Sequence, residues 1–118
     1  MYRIKVKASF SSAHNLRGYK GKCEDLHGHN WKVEADIESY DLDKIGMIVD
    51  FSVLKKKLRK ILEKLDHKYL NNIPYFKKIN PTSENIAKYI YNRLKDAKVN
   101  PASVTVWESD TSCATYSE

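Results

Sequence analysis

The sequence predicts an α+β domain, an antiparallel four-stranded sheet with two helices on one face. Three observations carry that expectation. Clean apolar–polar alternation occupies two segments near the N-terminus and returns in two shorter segments at the C-terminus. Two amphipathic helical segments lie between these pairs. The helices are consecutive and do not alternate with strands, so the order β-β-α-α-β-β argues against a parallel βαβ sheet.

Residues 2–10 open the chain as a half-buried strand. Tyr2, Ile4, Val6, Ala8 and Phe10 share one face, and Arg3, Lys5, Lys7 and Ser9 the other. Residues 11–28 carry Gly18, Gly21 and Gly28 among polar residues and read as a long loop. A loop of that size in a small domain is usually functional. Alternation resumes at Trp31, Val33, Ala35 and Ile37, which predicts a second strand antiparallel to the first.

Asp41 to Gly46 is a turn; its opening is calcium-loop-like, but the later ligands and terminal Glu are missing. Asp50 suits an N-cap, and Leu54, Leu58, Ile61, Leu62 and Leu65 define a helix over 51–65. Pro81-Thr82-Ser83-Glu84 opens a second helix, with Thr82 or Ser83 as cap and Ile86, Ile90, Leu94 and Ala97 as its apolar stripe. Asn100-Pro101 ends it. Val104 and Val106 mark a third strand, and Cys113 to Tyr116 a short fourth. The sheet face away from the helices is expected to have apolar or aromatic character that an oligomer would cover.

The chain has 118 residues, the size of one domain, taken as residues 1–118. Hydrophobic residues make up 42% and charged ones 31%, enough apolar material for a core, which excludes intrinsic disorder. No apolar run approaches the roughly 20 residues of a membrane span. The N-terminus alternates instead of forming a signal-peptide block, so a cytoplasmic setting is expected. Two cysteines, Cys23 and Cys113, cannot build a disulfide framework. Twenty-one Lys and Arg against fifteen Asp and Glu leave a net charge of +6, which suits nucleic acid or a small polyanionic substrate. The basic residues crowd the polar face of the first helix, and no aromatic RNA-recognition motif is visible.

His27-Gly28-His29 puts two imidazoles two residues apart, on one face of extended chain. Gly28 is expected to remove bulk and permit unusual torsions. His14 follows the first strand, so pairing of the two strands brings it close to the pair. Three neutral imidazoles with an open fourth position describe a catalytic Zn²⁺ site, the alternative being solvated or structural histidines, and no C-x₂-C pair supports a structural zinc finger.

Cys23 lies four residues before His27, between Lys20, Lys22 and the histidines, a setting that favours thiolate; the alternative is a packed, inert cysteine. Asp66-His67 follows the first helix, either as a carboxylate–imidazole pair or as a cation at a helix C-terminus. Glu108 follows Trp107, either anchoring a ligand edge with two parallel N–H donors or as an exposed strand-end carboxylate. Cys113 reads as a small buried residue.

Together these residues resemble the 6-pyruvoyl-tetrahydropterin synthase / 6-carboxy-tetrahydropterin synthase family. The resemblance rests on Phe-Ser-Ser-Ala-His (10–14), Cys-Glu-Asp-Leu-His-Gly-His (23–29), Gly-Met-Ile-Val-Asp-Phe (46–51), Leu-Asp-His-Lys-Tyr-Leu-Asn (65–71), Pro-Thr-Ser-Glu-Asn (81–85) and the Glu108 segment. It implies the tunnelling fold, whose sheets join edge to edge into an oligomeric barrel, commonly a hexamer of two trimers with active sites between subunits. It implies that His14, His27 and His29 bind zinc and that Cys23 is the catalytic thiolate. Asp66 and His67 become its acid–base partners from a neighbouring subunit. Glu108 anchors the pterin, with Thr82 or Ser83 adding hydrogen bonds.

The implied substrate is 7,8-dihydroneopterin triphosphate. In the 6-carboxy branch it loses triphosphate and acetaldehyde, and the product feeds deazapurine (queuosine) synthesis for modified tRNA bases. The three residues between Cys23 and His27 resemble that branch. Glu24 also resembles the base of a third branch, which uses an E-x-x-H-G-H motif to make 6-hydroxymethyl-dihydropterin; otherwise it is a loop residue pairing a lysine. The pyruvoyl reaction is a further alternative, and a basic zinc-containing RNA-binding module is the non-enzymatic one. No membrane or nucleic-acid partner is expected. Arg17, Lys20 and Lys22 are placed to draw a triphosphate toward the metal.

Overall fold

The computed structural model describes residues 1–21 and 25–118. Its elements are β1 (Tyr2–His14), β2 (His27–Ser39), α1 (Phe51–Glu63), α2 (Ser83–Asp96), β3 (Ser103–Ser109) and β4 (Ser112–Tyr116). The strands form one antiparallel sheet in the order β1-β2-β3-β4. α1 lies against β1, and α2 against β3 and β4, so both helices cover the same face.

Strand parity decides which side chains enter the core. The alternation of β1 and β2 turns Val6, Phe10, Trp31, Val33, Ala35 and Ile37 toward the helices, where they meet Val104 and Val106 of β3. Leu54, Leu58 and Leu62 of α1 and Ile86, Ile90 and Leu94 of α2 close the core from above. Burying each such side chain stabilises the fold by about 1.5–3 kcal/mol. Both helices start where their caps dictate. Asp50 accepts from Ser52 N–H, and Thr82 accepts from Asn85 N–H.

The hairpin is longer than the alternation of apolar residues suggests. β1 runs through Ser11–His14 and β2 begins at His27, so the predicted loop over 11–28 shrinks to the residues between the strands. Ser12 and His14 keep the inward parity of Phe10 and are buried despite being polar. Backbone pairing, with His14 opposite His27 and Ser12 opposite His29, sustains the ladder where apolar patterning has stopped. Two single-turn 3-10 helices, Leu70–Asn72 and Pro74–Phe76, fill the connection between α1 and α2.

The outer sheet face corrects the expectation of apolar character. It carries a cross-strand charge ladder, with Arg3 on Glu38, Lys5 on Glu34 at 2.9 Å and Lys7 near Glu34 at 3.7 Å. Asp36 is buried within that ladder, 3.7 Å from both Arg3 and Lys5. Trp107 is the aromatic contribution of β3 to this face. Cys113, opposite Trp107 in the register, is exposed and not buried, because the parity of the edge strand β4 turns it away from the helices. No helix among the described residues is long and apolar enough to cross a membrane.

Candidate metal centre and active site

The antiparallel register assembles the site from two strands. His14 ends β1, His27 starts β2 opposite it, and His29 projects to the same face two residues later. Glu108 has the inward parity of Val104 and Val106 on β3 and extends that line to the same end of the sheet. The potential ligand atoms of His14, His27, His29 and Glu108 all lie within 4.8 Å of one another.

The hydrogen bonds decide which ring nitrogens are available. His14 Nδ1 donates to the Pro81 carbonyl at 2.7 Å, and His27 Nδ1 donates to the Asp25 carbonyl at 2.7 Å. A carbonyl can only accept, so each Nδ1 carries the proton and each Nε2 keeps its lone pair. Those two Nε2 atoms face each other at 3.0 Å. Burial pushes the His14 imidazolium below its ordinary pKa, and positive charge on His27 or His29 adds to that, so the ring is neutral at pH 7. Burial lowers the His29 pKa as well, against the opposing pull of Glu108.

His29 Nε2 is buried without a hydrogen-bond partner, although Glu108 Oε1 is 3.1 Å away. The separation suits an ion pair, but the orientation is not that of a hydrogen bond. An orphaned buried ring nitrogen beside two facing lone pairs is a donor set that fits a cation. Neutral imidazoles suit zinc, and carbonyl partners on the remote nitrogens of His14 and His27 are the usual outer support of such a site.

Trp31 floors the cluster, a role the apolar pattern did not announce. Its indole meets His14 and His29 edge-on at centroid separations of 4.9 and 5.2 Å. The signal was the shared parity of His27, His29 and Trp31. Gly28 corrects a second expectation. Its backbone has no positive φ, and an added Cβ would make ordinary contact with Ser12 O at 3.9 Å, so neither bulk nor torsion demands glycine.

Ser83, buried at the first turn of α2, donates to Glu108 Oε2 at 3.4 Å, so these two predicted residues do meet. Thr82 Oγ1 is engaged by Asn85 N–H at 3.1 Å. Asp66 and His67 do not join the histidine group. They pair with each other at 3.0 Å along the outer edge of β1, where Asp66 Oδ1 accepts from Ser11 N–H at 2.8 Å. That N–H, followed by the His67 interaction, holds the Asp66 carboxyl below its ordinary pKa. Arg17 directs its guanidinium to the Asn71 carbonyl at 3.2 Å, and Lys20 is exposed. Cys23, Glu24 and Lys22 lie outside the described residues.

Fold and donor set define an α+β protein with a three-histidine, one-carboxylate group able to hold a metal ion. A family model described as 6-pyruvoyl tetrahydropterin synthase matches residues 3–118, and the chain belongs to that family. It is 37% identical to the 6-carboxy-5,6,7,8-tetrahydropterin synthase of Haemophilus influenzae over an alignment of 142 residues that covers all of both chains. It is 40% identical over 122 residues to the 6-carboxy-5,6,7,8-tetrahydropterin synthase of Synechocystis sp., covering 98% of this chain and 93% of that one. The structure matches Caenorhabditis elegans 6-pyruvoyl tetrahydropterin synthase with a TM-score of 0.89 at 30% identity, covering 99% and 95% of the two chains.

Proposed function

We propose that this chain is a zinc-dependent 6-carboxy-5,6,7,8-tetrahydropterin synthase. It is a lyase that converts 7,8-dihydroneopterin triphosphate and one water to the 6-carboxy pterin, triphosphate and acetaldehyde. The observation that carries the reading is the convergence of His14, His27, His29 and Glu108 in a chain 37–40% identical to two proteins of that name.

His14, His27 and His29 hold the zinc, which supplies Lewis acidity toward the hydroxyls of the substrate side chain. Glu108 accepts the 2-amino and N3 hydrogens of the pterin edge as a two-point anchor, and Ser83 orients its carboxylate. Thr82 Oγ1 already accepts from Asn85, which leaves its hydroxyl hydrogen for the ring. Cys23 takes the side-chain proton as thiolate, and Asp66 with His67 relays it. Asp66 orients Nδ1 of His67, and the ring, 83% exposed, presents Nε2 outward, where a neighbouring subunit's site can use it. That sharing motivates a homo-hexamer of two trimers closed into a barrel, acting in the cytoplasm in deazapurine synthesis.

The deciding experiment incubates zinc-loaded protein with 7,8-dihydroneopterin triphosphate, and separately with dihydroneopterin, and identifies products by mass spectrometry. The expected result is a 6-carboxy product that disappears in Cys23→Ala. A 6-hydroxymethyl product lost in Glu24→Ala but kept in Cys23→Ala assigns side-chain cleavage instead, and a 6-pyruvoyl product assigns the pyruvoyl reaction. No turnover together with tight RNA binding replaces the enzyme with the binding module.

A further inference from the structure

The hydrogen-bonded edge of β1 does not end with the strand. Ser11 O accepts from His67 N at 2.6 Å, and Ala13 N donates to Lys68 O at 3.0 Å. Asn15 then pairs with the side chain of Asn71, its N–H on Oδ1 at 3.0 Å and its carbonyl on Nδ2 at 2.9 Å. Arg17 pairs in the same way with the side chain of Asn80, at 3.0 and 2.9 Å. Residues 11, 13, 15 and 17 thus turn their main-chain groups to one edge, as alternate residues of extended chain do. Ser11 O and Ala13 N meet backbone, Ser11 N–H meets the Asp66 carboxylate, and the last two residues meet carboxamides, because the opposing chain curls into the 3-10 turn Leu70–Asn72.

Each carboxamide supplies the acceptor and donor that a neighbouring strand would. His14 sits between two of these anchor points, Ala13 and Asn15. Its ring is held from the Asn80 side as well. Asn85 Nδ2 donates to Asn80 O at 2.9 Å, and the next residue, Pro81, receives His14 Nδ1. Asn71 is 5% exposed, so losing its side chain would remove two hydrogen bonds to the main chain next to His14 in a protected place.

We propose that Asn71 and Asn80 are positioning residues for His14: their carboxamides stand in for a strand, fix the main chain beyond His14 and keep Nε2 aimed at the other two imidazoles. The proposal rests on His14, His27 and His29 being the metal ligands. Neither asparagine touches the ion; both act through the placement of His14.

The test measures zinc affinity of the full-length protein by competition with a chromophoric chelator, alongside the melting temperature of the metal-free form. Asn80→Ala and Asn71→Leu leave the charge around the histidines unchanged. The expected result is zinc affinity weakened about 10- to 100-fold, the range typical of outer-shell partners. Affinity within twofold of wild type in both variants overturns the proposal, even with a lowered melting temperature, since that is what a merely structural role would produce. Should Asn71→Leu fail to fold, the half-buried Asn80→Ala decides alone. Wild-type protein that binds no zinc overturns both the metal reading and this proposal. Wild-type protein that binds zinc but makes no 6-carboxy pterin overturns the proposed reaction only, and a weakened variant affinity then still supports the positioning role.

Discussion

The carbonyl oxygen of Pro81 receives the Nδ1 proton of His14 at 2.7 Å, joining residues 67 apart in the chain. The contact sets the tautomer. With the proton held at Nδ1, the lone pair of Nε2 points at His27 and the donor set is ready before any ion arrives. The carbonyl is in place because Thr82 caps α2 at the next residue, so the start of one helix and the end of one strand are fixed against each other.

Removing a ligand should abolish metal-linked stability. Zinc at roughly 100 times its dissociation constant stabilises a one-site protein by about 2.7 kcal/mol. The metal-free protein should show a clear rise in melting temperature on adding zinc, reversed by a chelator. His27→Ala should show neither the rise nor stoichiometric zinc by elemental analysis. A variant that retains one zinc per chain contradicts the three-histidine site.

Glu108→Gln keeps the shape of the side chain and removes its charge. Hydrogen bonds to charged groups contribute about 1.5–3 kcal/mol, so KM for the pterin should rise about 10- to 100-fold. Zinc content should stay at the wild-type level. Steady-state kinetics and metal analysis on one preparation check this; loss of zinc with unchanged KM would make Glu108 a ligand and not an anchor.

Asp66 makes acid stability a readout of the β1 edge. Its folded pKa is depressed, chiefly by Ser11 N–H. A carboxyl of this kind stabilises the fold above its unfolded pKa, about 3.9, and loses that contribution as pH falls through the lower folded value. Asp66→Asn keeps an oxygen acceptor and cannot titrate. The melting-temperature gap between wild type and variant should therefore narrow as pH drops from about 6 to 3. A constant gap across that range removes the carboxylate from the account.

Trp31 joins core and site, so its substitution should disturb both. The side chain is fully buried, stacks on Phe10 at 5.9 Å and donates Nε1–H to Ser12 O at 3.2 Å. Trp31→Phe leaves a void and removes the indole's hydrogen bond to the Ser12 carbonyl, costing about 1–3 kcal/mol in urea unfolding. Zinc affinity should weaken with it, since His14 and His29 both meet the indole edge-on. Stability equal to wild type would show that the site relaxes around the smaller residue.

Much of the fold was legible because its signals are local. The alternation from Tyr2 and from Trp31, the leucine spacing of α1 and the caps Asp50 and Thr82 each act within a few residues, where backbone geometry imposes its period. His14, His27 and His29 were legible for the same reason, since parity puts two on one face and antiparallel pairing supplies the third. The charge ladder could have been read from the same parity, because Arg3, Lys5 and Lys7 face Glu38, Asp36 and Glu34 in register.

The rest was decided by contacts between distant segments. The sequence by itself determined the element order, the inward faces and the identity of the candidate ligands. Only the tertiary structure decided that β1 extends to His14, that the Pro81 carbonyl sets a tautomer, and that Asn71 and Asn80 act as a strand. It also set Asp66 and His67 on the outer edge of β1, apart from the histidines of their own chain. The physical reason is that a hydrogen bond between side chain and backbone leaves no period in the sequence. Periodicity records which face is dry, whereas a carboxamide meets its partner only after the chain has folded.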